Sequence, residues 1–170
     1  MDKVELFQRL GLALAIGLLV GVERGWQARA ESQGDRVAGL RTFALIGLFG
    51  GISGWLAQIM GHAVLGFAFL GLAGLIGVSY WVSTRHDAGL GVTTEIAALL
   101  VFALGAAAVV GDMAPPAAAA VVATLFLATK STLHGWIEKI QRFELTAALK
   151  LALISVVMLP VLPDSGFGPG

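Results

Sequence analysis

Six long apolar stretches limit what this chain can become more than any other feature. They cover residues 4–22, 42–60, 63–82, 96–111, 114–129 and 145–162. A bilayer core about 30 Å thick is crossed by roughly 20 mostly apolar residues in a helix. The first stretch is led in by Glu5, Gln8 and Arg9, and the third is the cleanest. The fourth and fifth are short and alanine-rich, with only Asp112 and Met113 between them, and the sixth carries Lys150 near its start. None alternates apolar and polar residues with period two, as a barrel strand would. The predicted fold is therefore all-α: a polytopic transmembrane helix bundle of five to six spans.

Composition agrees. Charged residues make up 13% of the chain and apolar ones 57%, whereas a soluble domain carries roughly 25% charged residues. The implied surroundings are a lipid bilayer. A formal net charge of zero gives no electrostatic footprint for nucleic acid. The absence of cysteine removes disulfides, thiolate nucleophiles and thiolate metal sites together. Two acids among the first five residues, with no small-residue cleavage site after them, argue that the first stretch is retained as a helix rather than removed as a signal.

Sidedness follows from lysine and arginine. If every stretch crosses, Lys3 and Arg9 lie on one side, and Arg24, Arg29, Arg36, Arg41, Arg85, Lys130, Lys139, Arg142 and Lys150 on or nearest the other. The positive-inside rule then puts both termini outside the cytoplasm and the longer linkers within it. The turns at residues 58–62 and 112–116 face outward, and Pro115 suits the opening turn of a helix.

Small residues recur every fourth position. Gly17, Gly21 and Gly25 form one stripe, Gly47 with Gly51 and Gly50 with Gly54 two more, and Ala103, Ala107 and Gly111 another. Lipid supplies no hydrophobic drive between helices, so close backbone approach must hold a membrane bundle together. These stripes are packing signals without chemistry.

The residues that could carry chemistry cluster at the cytoplasmic helix ends. Glu23 and Arg24 close the first apolar stretch, and Arg41 and Thr42 open the second, so a Glu23–Arg41 pair is geometrically accessible. The bland alternative is a helix-end ion pair. Thr93 and Thr94 are expected to cap the fourth helix, with Glu95 in its first turn, where a carboxylate suits the positive helix end. Glu23 and Glu95 face the same side, and with Asp87 nearby they could ligate Mg²⁺ or another hard cation. Arg24, Arg41 and Arg85 count against a bare cation cage, and a proton or anion relay fits equally. Lys130 and His134 are spaced i, i+4 at the end of the fifth stretch, where snorkelling and an amphipathic linker explain them. His62 is expected to be a turn residue. No phosphate-cradling loop, zinc-protease motif or nucleophile elbow is present, so no enzyme activity is expected and no cofactor is implied, Mg²⁺ entering only as substrate or ligand.

The segment "GLLVGVERGWQARAESQGDRVAGLRTFALIGLFG" resembles the hallmark of the MgtC/SapB membrane-protein family: a glycine-rich first helix ending in Glu-Arg, then Ala-Gly-Leu-Arg-Thr opening the second. It maps onto Gly17, Gly21, Glu23, Arg24, Ala38, Gly39, Leu40, Arg41 and Thr42. "GLGVTTEIAALLVFALGA" is similar to the family's Gly-Leu-Thr-Thr segment, with Val92 in place of leucine. Residues 143–170 resemble the start of a second membrane domain in longer members, so residues 1–142 are expected to form the MgtC/SapB-like domain. The ending "LPDSGFGPG" reads as the entry to more protein.

The resemblance implies a bacterial inner-membrane protein associated with growth in low magnesium. Two functions follow as expectations. One is transport or homeostasis of Mg²⁺ or another small ion, with Glu23, Arg41, Thr94 and Glu95 lining a cytoplasmic cavity. The other is a non-transporting module that binds a second copy or another membrane protein. Nearly every charge sits at a helix end, and the mid-helix polar groups are Ser53, Thr124 and Ser155, which favours the module or an oligomer over a self-contained carrier.

Overall fold

The computed structural model describes residues 2–27, 39–84, 92–129, 135 and 141–158. All regular structure among them is helical, and the chain divides into two compact units, Met1–Ala128 and Thr129–Gly170.

The first unit is a bundle of five helices: α1 (Lys3–Gln27), α2 (Leu40–Met60), α3 (Ala63–Thr84), α4 (Thr93–Val110) and α5 (Ala114–Ala128). α1, α2, α4 and residues 63–82 of α3 are long and apolar enough to cross a membrane, and α5, at 15 residues, is shorter. Two turns follow directly from local chemistry. α2 stops at Gly61, whose φ of 102° lies where only glycine sits without strain. Between α4 and α5, Asp112 Oδ1 accepts the N–H of Ala114 at 3.2 Å, so the acid caps α5 just ahead of Pro115 and Pro116.

α1, α2 and α4 form the tightly packed centre, and glycine makes it possible. A Cβ on Gly17 would collide with the backbone of Phe43 and Ala44, and one on Gly47 with the carbonyl of Ala13, so α1 and α2 meet main chain to main chain. Gly21 faces Leu40 and Gly51 faces Ala13 along the same contact. On its other side α2 presents Gly50 to the carbonyl of Phe102 and Gly54 to that of Ala106, while Gly105 of α4 abuts the carbonyl of Gly47. α2 is thus glycine-lined on two faces. Such contact yields dispersion energy that Leu-on-Leu packing would only exchange for equivalent contact with lipid.

Three expectations change here. Gly25 has open space around it and takes no part in the stripe. Ala103, Ala107 and Gly111 lie on the exposed side of α4, whereas Phe102, Gly105, Ala106 and Val109 are buried. Residues one apart on a helix differ by about 100° in direction, so the spacing was right and the face was wrong. Finally, α1 does not end at Glu23 but continues to Gln27.

α3 and α5 are peripheral. Among residues 63–82 of α3 none is fully buried; Leu65, Ala68, Leu72 and Ile76 lean on a core that includes Val20, Phe43, Ala97, Val101 and Phe102. Phe102 meets Phe49 edge-on at 5.3 Å between ring centroids and Phe69 at 5.8 Å. Outward, Phe67, Leu70 and Val78 are more than half exposed. An apolar exterior of this kind belongs against lipid.

In the second unit, α6 (Arg142–Ala152) continues as a π-helical segment, Leu153–Met158. Gln141 and Glu144 form a capping box, the Glu144 carboxylate accepting the Gln141 N–H at 3.0 Å. The expected sixth stretch therefore starts at Arg142, and its last residues, 159–162, lie outside the described residues.

Candidate functional site

The residues singled out at the helix ends fall into two separate places. The first is the last turns of α1. Glu23 is buried, and both its oxygens are taken by its own neighbour: Arg24 Nε donates to Oε2 at 2.5 Å and Nη2 to Oε1 at 2.7 Å. Adjacent helical side chains ordinarily do not face each other, but the long arginine folds back to present its fork. The same Nη2 also donates to the carbonyl of Leu127 at 3.4 Å, near the end of α5. A cation at a helix C-terminus is favoured by the dipole there. The pair therefore ties α1 to α5.

The expected Glu23–Arg41 pair does not form. Arg41 lies exposed in the first turn of α2, and both oxygens of the Glu23 carboxylate are engaged by Arg24.

The second place is a cavity of about 190 Å³ where α2, α3 and α4 diverge. Thr42, Thr94 and Glu95 line it, as does Ser79 of α3. The rest of its wall is aliphatic, including Ile46, Leu72 and Ile76. Glu95 sits in the first turn of α4 as anticipated, but Thr93 and Thr94 are helical residues and not caps; the N-cap is Val92, with no side-chain bond. Glu95 Oε2 is buried and accepts no hydrogen bond. A buried carboxylate oxygen left without a donor is costly, which sets this atom apart from the Arg24-engaged oxygens of Glu23.

Glu23 and Glu95 therefore do not converge on one ion. Among the described residues no group of three or more His, Asp or Glu side chains is placed to hold a metal. Asp87, Lys130 and His134 lie outside the described residues. His62 is in the α2–α3 turn, at the edge of a second, apolar cavity of about 470 Å³ between α3 and α4.

Two participants were not anticipated. Ser79 of α3 lines the cavity, although it lies within the cleanest of the apolar stretches. At the opposite end of the bundle, Arg9 pairs with Glu5 at 2.9 Å and donates to the carbonyls of Ala108, Val109 and Gly111. Gln58 adds a bond to Val109 O at 3.0 Å. Together they close the C-terminal end of α4. The mid-helix hydroxyls do not reach the cavity: Ser53 bonds to Phe49 O at 2.8 Å and Thr124 to Ala120 O at 2.7 Å, each within its own helix.

The sequence profile of the MgtC family matches residues 10–136, a span holding all of α1's glycine stripe, both threonines and both carboxylates. No curated protein and no solved structure matches the chain.

Proposed function

Since the chain belongs to the MgtC family, we infer that it is a membrane protein of magnesium homeostasis that acts by contact with a second copy or another membrane protein, and does not carry the ion through its own bundle. The observation that supports this is the state of the mid-helix hydroxyls. A carrier needs polar groups free near the bilayer middle to replace a cation's water. Ser53 is 2% exposed, its oxygen shut in an α1–α2–α4 centre that is closed by glycine-to-carbonyl contact, and Thr124 on α5 donates to its own helix at Ala120 O. The proposed setting is the bacterial inner membrane with both termini outside the cytoplasm and the Glu23 and Glu95 ends of the helices at its cytoplasmic face.

The outer face of α3 suits the contact. Gly71 and Gly74 are exposed with open space beside them, so another helix can approach closely. The test is growth of cells lacking the protein in low magnesium. Wild type should restore growth; Gly74→Trp, which adds bulk only on the outer face, should insert normally and fail to restore it. Full rescue by that variant would remove α3 as the contact.

Transport remains the second reading, favoured by one observation, the unpartnered Oε2 of Glu95 in an open cavity. It requires α3 to move so that the cavity opens to the other side.

A further inference from the structure

The cavity at Glu95 has a chemistry that does not fit magnesium. Among the described residues its only carboxylate is Glu95, joined by the hydroxyls of Thr42, Ser79 and Thr94. Every polar atom these side chains offer an incoming cation is an oxygen that can accept. The remaining wall is aliphatic, and Leu75 on it is 69% exposed, so the mouth opens to the outside of the bundle.

Charge and size decide what such a cavity holds. Magnesium sheds water reluctantly, and a hydrated ion would press part of its water against the aliphatic wall of Ile46, Leu72 and Ile76. Two positive charges would also face one carboxylate, which the N-terminus of α4 already offsets by about half a charge. A monovalent cation leaves a much smaller excess of positive charge than a divalent one, and a cation carrying an apolar tail also satisfies the walls. The volume is below the roughly 300 Å³ at which pockets for drug-sized ligands begin, so the tail is short.

We propose that the α2–α3–α4 cavity is a binding site for a small protonated aliphatic amine, whose ammonium group donates to Glu95 Oε2 and to two of the three hydroxyls of Thr42, Ser79 and Thr94 while its alkyl tail lies on Ile46, Leu72 and Ile76. The ammonium supplies three donors and no acceptor, complementary to a cluster of acceptors. The buried oxygen of Glu95 gains the partner it lacks. The site stands whether or not the chain moves magnesium.

The test is thermal unfolding of the full chain in nanodiscs of zwitterionic lipid, titrated with n-butylammonium, n-butanol, sodium chloride and magnesium chloride at matched ionic strength. A ligand that binds only the folded state raises Tm saturably. The expected result is a saturable rise with n-butylammonium alone. Glu95→Gln removes the charge-assisted bond and should weaken binding about tenfold or more. Ser79→Leu, at an exposed position, leaves Glu95 in place and fills the cavity, and should do the same. An equal rise with n-butanol, a larger one with magnesium, or undiminished n-butylammonium binding by both variants would overturn the assignment.

Discussion

Gly50 of α2 lies so close to the carbonyl oxygen of Phe102 on α4 that no Cβ fits between them. Two helices in lipid have no water to escape from, so the distance of approach sets how much dispersion energy they gain. Gly105 makes the reciprocal contact, abutting the carbonyl of Gly47.

Gly50→Ala and Gly105→Ala should therefore destabilise the bundle by about 1–3 kcal/mol, as overpacking does elsewhere. This would occur although alanine favours a helix by about 1 kcal/mol over glycine. Gly71→Ala, with open space around it, should be neutral or slightly stabilising. Denaturant titration of the three variants in one detergent checks the contrast; equal effects at all three positions would show that close approach is not what the glycines provide.

Glu23 and Arg24 should behave as a unit. Their side chains are only 8% and 10% exposed, and removing one partner leaves the other buried and charged, at a cost of about 3–5 kcal/mol in comparable buried pairs. Arg24→Met and Glu23→Gln should each be destabilising, and the double variant less so than the sum. Additive losses would mean the two side chains are independent. Any loss of function in Glu23→Gln then has to be read against its stability.

Arg9 should matter more than its partner Glu5. It donates to the end carbonyls of α4, groups that have no partner inside the helix, so Arg9→Gln should cost about 1–3 kcal/mol. Glu5 is 42% exposed, and Glu5→Gln should change stability by less than about 1 kcal/mol. Hydrogen exchange gives a local readout: residues 107–111 should lose protection in Arg9→Gln and keep it in Glu5→Gln.

What could be seen in the sequence follows from how local each determinant is. The helices were legible because each apolar stretch carries its own membrane signal, and Pro115 suited the opening turn of a helix, whereas the capping role of Asp112 shows only in the structure. The packing face of α4 was not. Ala103–Ala107–Gly111 and Ala98–Gly105–Ala106 are both sets of small residues, and only contact with α2 selects the second. Glu23 offered two arginines, and spacing could not tell that Arg24 would fold back and leave Arg41 exposed. Arg9 and the carbonyls it caps are about a hundred residues apart in the chain, a pairing with no local trace. The cavity was half visible: Thr94 and Glu95 stood out as polar residues opening the fourth helix and Thr42 as one opening the second, whereas Ser79, inside an apolar stretch, is brought to them only by the packing of α3.

The central claim is that this bundle serves magnesium homeostasis without passing magnesium through itself. The most direct measurement is Mg²⁺ flux into proteoliposomes containing the purified, folded chain, with the Glu95→Gln variant alongside. No flux above empty vesicles, from protein that restores growth in low magnesium, is the predicted result. Saturable flux that disappears in Glu95→Gln would contradict it and place the cavity at Glu95 on a transport path.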